Sequence, residues 1–172
     1  MIIGEKIYLR ALEPDDIDIL FEWENNIDNW RISNTVTPFS RNTLQEYINS
    51  SHLDIYTTKQ FRFIICEKST NNAIGTIDLF DFEPLNQRVG IGILIDEKYR
   101  NLGYASESLS MLVNYCFNTL LLHQVYANIA SDNIQSIKLF TENGFNLVGN
   151  KKEWLISANG WIDELLYQKI NK

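Results

Sequence analysis

Between Phe61 and Gly103 the chain changes its hydrophobic period from two to about 3.6, and that change sets narrow limits on the fold. Phe61-Arg62-Phe63-Ile64-Ile65, Ile74 to Phe82 and Val89 to Ile95 are rich in β-branched and aromatic residues. Short polar turns separate them, the first containing Asn71-Asn72. Strands joined this closely pair antiparallel, because a parallel crossover needs about a dozen residues or more. The next segment, Gly103 to Phe117, has helical spacing through Ala105, Leu109, Leu112, Val113 and Cys116. Val125 to Ala130 then reads as a strand and Asn133 to Glu142 as a helix stopped by Asn143-Gly144. Phe145 to Val148 and Ile162 to Ile170 are expected as the last strands, separated by a polar stretch with an Asn159-Gly160 turn.

Upstream of the meander, Ile7-Tyr8-Leu9-Arg10 reads as a first strand, and Glu13-Pro14-Asp15-Asp16 suits the opening turn of a helix carrying Ile17, Leu20, Phe21 and Trp23. Ser40 is an N-cap for a second helix with Leu44, Tyr47 and Ile48 on its apolar stripe. Trp30 to Phe39 has no clean period and is expected as a loop near a site. No linker, repeat or low-complexity run interrupts the pattern, so the expectation is one α+β domain over residues 1–172.

The charge balance excludes several partners. With 15 Lys+Arg against 22 Asp+Glu the formal charge is -7, which repels phosphate backbones and anionic membranes. Nucleic acid and membrane are therefore not expected as partners. Met1 to Lys6 lacks the basic and apolar regions of a signal peptide, and a cytoplasmic location is expected. Cys66 and Cys116 each sit among apolar residues, which suits reduced core thiols rather than a disulfide or a zinc site. His52 and His123 are far apart and lack metal-ligand spacing, so no metal is expected.

The chemistry is best read from Ile93-Leu94-Ile95-Asp96-Glu97-Lys98-Tyr99-Arg100-Asn101-Leu102-Gly103-Tyr104-Ala105, an apolar strand leading through a polar turn into a helix. Gly103 permits close backbone approach, and the first free amides of a helix point outward with the positive end of its dipole. An anion, with a pyrophosphate as the natural example, fits there, and Arg100 can add a charge-assisted contact. The same fragment is also compatible with an ordinary strand-to-helix connection.

Arg100-Asn101-Leu102-Gly103-Tyr104-Ala105 resembles the R/Q-x-x-G-x-G/A signature of the GNAT family of acetyl-CoA-dependent N-acetyltransferases. The resemblance runs over nearly the whole chain. Leu9-Arg10-Ala11-Leu12-Glu13-Pro14-Asp15-Asp16 is similar to the family's first strand and helix, and Asn133 to Phe145 to its N-x-x-(A/S)-x-x-(L)-Y-x-x-x-G-F segment. The pattern is most similar to the branch of spermidine and diamine acetyltransferases and ribosomal-protein N-terminal acetyltransferases. The resemblance implies a GNAT-like single domain, with a central mixed, mostly antiparallel twisted sheet flanked by helices. It implies acetyl-CoA as co-substrate. Backbone groups of Ile93, Leu94 and Ile95 would pair with the pantetheine if the sheet splays beside them. The amides of Arg100, Asn101, Leu102, Gly103, Tyr104, Ala105 and Ser106 would hold the pyrophosphate. Asn133 would reach the cofactor with its side-chain amide, although it is equally a good helix N-cap, and Phe140 would pack against it. An amide near Leu94 would meet the acetyl carbonyl as charge develops, so that the amine attacks directly.

The expected acid and base positions depart from the family. Phe140 stands where the family commonly has a proton-donating Tyr, and Gly90 stands where many members of the branch have Glu. Asp78, Asp81 and Glu83 lie on the preceding strand, where the apolar set shifts from Ile77 and Leu79 to Phe80 and Phe82, a change of face that suggests a bulge. Asp81 is the candidate for binding the amine or relaying its proton, with solvated strand-edge acids as the alternative. The first helix carries Asp15, Asp16, Asp18, Glu22, Glu24 and Asp28, which could attract a polyamine or form a solvated face. Spermidine enzymes have an acidic pair about where this chain has Asn34 and Thr35. Trp30, Phe39, Tyr56 and Trp154 are candidates for an acceptor wall.

The expected activity is acetyl transfer to a primary amine, with a polyamine or diamine as the candidate acceptor. The alternatives are a peptide N-terminus as acceptor, or CoA binding without turnover. A homo-oligomer formed through the final strands and the Trp154 to Trp161 stretch is also expected.

Overall fold

A computed structural model describes residues 1–33 and 35–172, the side chain of Ile32 excepted. In chain order the elements are β1 (Ile2–Ile3), β2 (Ile7–Ala11), α1 (Ile17–Glu24), α2 (Ile27–Ser33), α3 (Arg41–Ser50), α4 (Ile55–Thr58), β3 (Phe61–Glu67), β4 (Ala73–Glu83), β5 (Arg88–Ile95), α5 (Tyr104–Asn118), β6 (Gln124–Ala130), α6 (Ile134–Glu142), β7 (Asn146–Ser157) and β8 (Gly160–Ile170). The strands form one eight-stranded sheet in the order β1-β2-β3-β4-β5-β6-β8-β7. Among the described residues only β5 and β6 run parallel, joined by the α5 crossover. The expected mixed, mostly antiparallel sheet flanked by helices is what the chain forms.

Local chemistry accounts for the boundaries. Ser40 accepts a hydrogen bond from the Thr43 amide at 3.0 Å and starts α3. Asn71 takes a left-handed conformation (φ 60°) in the β3–β4 turn, and Gly144 (φ 82°) ends α6. Alternation along the strands then separates two cores. Ile65, Ile77, Leu79, Val89, Ile91 and Ile95 pack with Leu109, Leu112 and Cys116 of α5. Ile64, Cys66 and Leu94 face the other way, toward Leu20 and Trp23 of α1 and Leu44 and Ile48 of α3.

Three expectations at the element level are corrected. Trp30 to Ser33, expected as part of a loop, belong to α2. β7 is a continuous strand from Asn146 to Ser157, so the polar stretch before Asn159-Gly160 is sheet rather than connection. The two-residue β1 was not anticipated.

The bulge expected in β4 is present. Asp81 and Phe82 together oppose Val89, between the Phe80–Gly90 and Glu83–Arg88 pairs, and Asp81 has φ 49°. The decisive feature of the sheet lies next to it. Strands β5 and β6 pair from Arg88–Gln124 to Gly90–Tyr126, after which β5 continues to Ile95 with no strand on that side among the described residues.

Candidate functional site

The unpaired part of β5 has a defined polarity. The Asp96 amide donates to the Ile74 carbonyl at 2.9 Å, so by strand alternation the polar groups of Gly92 and Leu94 also address β4. A Cβ built on Gly75 would run into the Leu94 carbonyl, which agrees with that direction. The Ile91 amide closes the last β5–β6 pair on Tyr126, so it is the Ile91 carbonyl and the backbone groups of Ile93 and Ile95 that face the gap. The expectation for Leu94 is corrected in this respect: its own amide is turned into the ladder, and the gap-facing amides are those of its neighbours. The Leu94 side chain packs toward α1 and α3. The carbonyl of Ile95 accepts from Nε of Arg100 at 3.0 Å.

Beyond Ile95 the chain forms a short 3-10 turn at Glu97–Tyr99 and then bends through Asn101 (φ 63°) and Gly103 (φ 87°) into α5. The first intrahelical bond runs from the Glu107 amide to the Gly103 carbonyl at 3.1 Å. The amides of Asn101, Leu102, Gly103, Tyr104, Ala105 and Ser106 have no acceptor among the described residues. A row of free N–H groups at the positive end of a helix is a diphosphate-sized anion site. A Cβ on Gly103 would meet only Nζ of Lys6, at 3.9 Å, so the space in front of the cradle is open.

The side chains around the cradle hold it still. Tyr104 is buried and its hydroxyl donates to the Glu67 carboxylate, which pushes the phenol pKa up and the carboxyl pKa down. The Glu107 carboxylate accepts the amides of Glu5 (2.6 Å) and Lys6 (2.9 Å), tying the β1–β2 turn to α5. Ser106 accepts a hydrogen bond at 3.0 Å from Nδ2 of Asn143, at the far end of α6. Asn133 caps α6 through the Ser136 amide at 3.1 Å, which leaves its Nδ2 without an acceptor among the described residues. Phe140 is 3% exposed and packs edge-to-face on Phe145, with ring centroids 5.0 Å apart.

On the opposite sheet face, toward α1 and α3, the floor of the cleft is bare backbone. Gly90 and Gly92 follow each other along β5 on that face, and a Cβ on Gly90 would collide with the Phe80 ring. Phe80 stands edge-on to Tyr126 at 5.9 Å. Burial first, and then the charge of Asp81, pushes the Tyr126 hydroxyl above its ordinary range. Asp81 itself is exposed on the bulge. Asp78 receives a two-pronged contact from Arg62, with Nε and Nη2 both at 2.8 Å, and Nη1 of Arg62 donates to Glu24. Burial opposes the Arg62 charge, but Asp78 and Glu24 override it and hold the guanidinium pKa well above its usual value. Glu83 turns away to accept from Asn86 and the Leu85 amide, and both bonds lower its pKa.

Other expected residues are dispersed. Asp16 is 5% exposed and pairs with Arg10, and Asp18 pairs with Arg41, so these parts of the acidic helix are not a free face. Asn34 lies outside the described residues; the Thr35 amide donates to Trp30 at 3.0 Å. Trp30 donates to the Glu24 carbonyl at 2.8 Å, close to the site. Tyr56 packs on Phe82, Phe39 packs with the α1 and α3 core, and Trp154 is exposed on β7, so they form no common wall. Arg62, Tyr126 and Phe80 were missed, since only the strand register brings them to the cleft.

An opened parallel pair beside a cradle of free amides is the arrangement expected of an acyl-CoA site, and comparison with known proteins agrees. Residues 6–146 match the model of the acetyltransferase (GNAT) domain. The chain belongs to the GNAT acetyltransferase family. It is 29% identical over 164 residues to the SPbeta prophage-derived N-acetyltransferase YokL of Bacillus subtilis, covering 95% of this chain and 89% of that protein. It is 26% identical over 145 residues to the spermidine N(1)-acetyltransferase of Vibrio cholerae, covering 83% and 80%. A crystal structure of the Vibrio cholerae spermidine N-acetyltransferase in complex with CoA and spermine superposes with a TM-score of 0.87 at 23% identity, covering 97% of this chain and 96% of that one. As a GNAT protein the chain is an acetyl-CoA-dependent acyltransferase, with acetyl-CoA as acetyl donor.

Proposed function

We propose that residues 1–172 act as one catalytic unit that moves acetyl from acetyl-CoA to the primary amine of a small alkyl diamine or polyamine. The observation that carries the reading is the row of free amides from Asn101 to Ser106, set where β5 leaves β6. In this reading those amides and Arg100 hold the pyrophosphate, the backbone of Ile93 and Ile95 with the Ile91 carbonyl lines the pantetheine, and Nδ2 of Asn133 adds a contact. Spermidine acetyltransferases among the relatives support the acceptor class.

The neutral amine nitrogen attacks the thioester carbonyl, the carbon–sulfur bond breaks, CoA leaves as its thiolate, and the nitrogen gives its surplus proton to water to become the amide. A gap-facing β5 amide is placed to accept the charge developing on the carbonyl oxygen. An alkyl ammonium has a pKa of about 10 and must lose a proton first. Asp81 and water are the acceptors on the open face. Phe140 can give no proton, and the thiolate, with a pKa of about 8.5, leaves without one. Phe140 and Gly90, which supply neither the acid nor the base, also favour a second reading, CoA binding without turnover.

Trp154, Ile156 and Trp161 are 59%, 69% and 63% exposed on the β7–β8 hairpin and supply an apolar surface for self-association. No helix among the described residues is long and apolar enough to cross a membrane. In this reading the enzyme works in the cytoplasm, where Cys66 and Cys116 stay reduced. Thiol release from acetyl-CoA with spermidine, spermine, putrescine, amino acids and short peptides tests the function. Turnover with diamines or polyamines is expected. Turnover only with peptides would move the acceptor to an N-terminus, and CoA binding without release across the panel would favour the second reading.

A further inference from the structure

Two features meet on the open face of the cleft, and neither is explained by cofactor binding. The first is an uneven charge cluster. Arg62 lies between Glu24 and Asp78, with side-chain exposures of 18% for Arg62, 18% for Glu24 and 28% for Asp78. Two carboxylates against one guanidinium leave one negative charge in excess in a mostly buried place. Such an excess is costly unless a cation completes it. The second is a slot. Asp78 is the cross-strand partner of Gly92, whose missing side chain leaves the sheet bare beside the carboxylate. A Cβ on Gly92 would meet a single atom within 4 Å, Cε1 of Phe80 at 3.8 Å, so the slot is open where the one over Gly90 is filled by that ring.

We propose that Asp78 and the Gly92 floor form the seat for a cationic nitrogen of the acceptor, with Arg62 and Glu24 holding the Asp78 carboxylate in place. The inference rests on the acetyltransferase reading and deepens it, since Gly92 lies between Ile91 and Ile93, whose backbone groups face the pantetheine side. Both Asp78 oxygens are already oriented by Arg62, one bond to each, so each keeps capacity to accept a further donor. An alkyl ammonium over Gly92 gains that carboxylate, neutralises the excess charge and lays its first methylenes against the edge of Phe80. Asp78, rather than the exposed Asp81, then decides whether a charged chain is accepted.

The test is calorimetric titration of spermidine, and separately putrescine, into the CoA complex of the wild type and of Asp78→Asn and Gly92→Ala, with CoA affinity measured for each. Gly92→Ala adds a methyl at ordinary contact distance and leaves the backbone groups of Ile91 and Ile93 untouched, so it folds and keeps the cradle. Each variant is expected to weaken amine binding by about tenfold or more, the scale of one charge-assisted contact, with CoA affinity unchanged. Amine binding unaltered in both variants overturns the seat. A wild-type CoA complex that binds neither amine overturns it as well, while intact CoA binding and thiol release with another acceptor would leave the transferase reading standing.

Discussion

The ring of Phe80 lies across the backbone of Gly90, its cross-strand partner, and fills the space a side chain at position 90 would need. An aromatic residue covering a glycine on a paired strand restores the packing that the missing side chain removes. Gly90→Glu therefore overpacks the site and is expected to cost about 1–3 kcal/mol, read by urea unfolding. Adding Phe80→Ala should recover part of that loss. A double-mutant cycle with no coupling would show that the two positions do not compete for one volume.

Gly103 turns the chain into α5 with φ 87°, and nothing but Lys6 approaches its α-carbon face. Packing is not the obstacle to a side chain there. Conformation and the approaching anion are. Gly103→Val is expected to cost about 1–3 kcal/mol in stability through backbone strain and to weaken CoA binding by tenfold or more. Arg100→Ala should weaken CoA binding without backbone strain, losing only its bond to the Ile95 carbonyl. Unchanged CoA affinity in both variants, measured by calorimetry, would move the pyrophosphate away from this turn.

Much of the architecture was legible because hydrophobic period and turn chemistry agree: Asn71, the Ser40 cap and Gly144 all mark real boundaries. α2 escaped because its seven residues span less than two helical turns and carry no stripe. β7 escaped because its half-buried positions are Gly149, Lys151, Leu155 and Ser157, of which Leu155 alone is a large apolar residue, so burial alternates without hydrophobicity alternating. The acceptor side was hidden by register. Counting back from the β3–β4 turn, where Cys66 faces Ala73, puts Arg62 opposite Ile77; a one-residue shift between Ile65 and Cys66 brings Asp78 there instead. No property of Arg62 or Asp78 alone announces that shift. The cradle was readable because a glycine before a helix declares its geometry locally.

Cys66 and Cys116 are both fully buried, in the two different cores, and burial pushes the Cys116 thiol up to about 12. Burial shields both sulfurs, and for Cys116 it also disfavours the reactive thiolate, so neither should react with a disulfide reagent in the native protein at pH 8. Both should react at once in guanidinium. Fast reaction of Cys116 under native conditions would show that α5 opens more readily than its packing implies.

On the β7–β8 hairpin, Asp163 accepts from Lys152 (2.7 Å), the Glu153 amide (3.0 Å) and Asn150 (3.0 Å), which together lower its pKa from 3.8 to about 2. A depressed carboxyl stabilises the fold above its unfolded pKa, and the contribution fades as pH falls through the folded value. The thermal midpoint of Asp163→Asn should thus lie below that of the wild type at pH 5 and converge with it between about pH 4 and pH 2. Parallel curves across that window would remove Asp163 from the acid response of the hairpin.

Asn133 has two roles that one substitution cannot separate. Its Oδ1 caps α6 and its Nδ2 is left for the cofactor. Asn133→Ala loses both, and about 1 kcal/mol of stability is expected to go with the cap. Asn133→Asp keeps an oxygen for the Ser136 amide and improves the charge at the helix start, so stability should hold or rise. It loses the donor and sets a negative charge beside the diphosphate. CoA affinity should therefore fall further in Asn133→Asp than in Asn133→Ala, the reverse of the stability order. If calorimetry instead shows CoA affinity following stability across the two variants, Asn133 acts through the helix alone and the cofactor is held by the cradle without it.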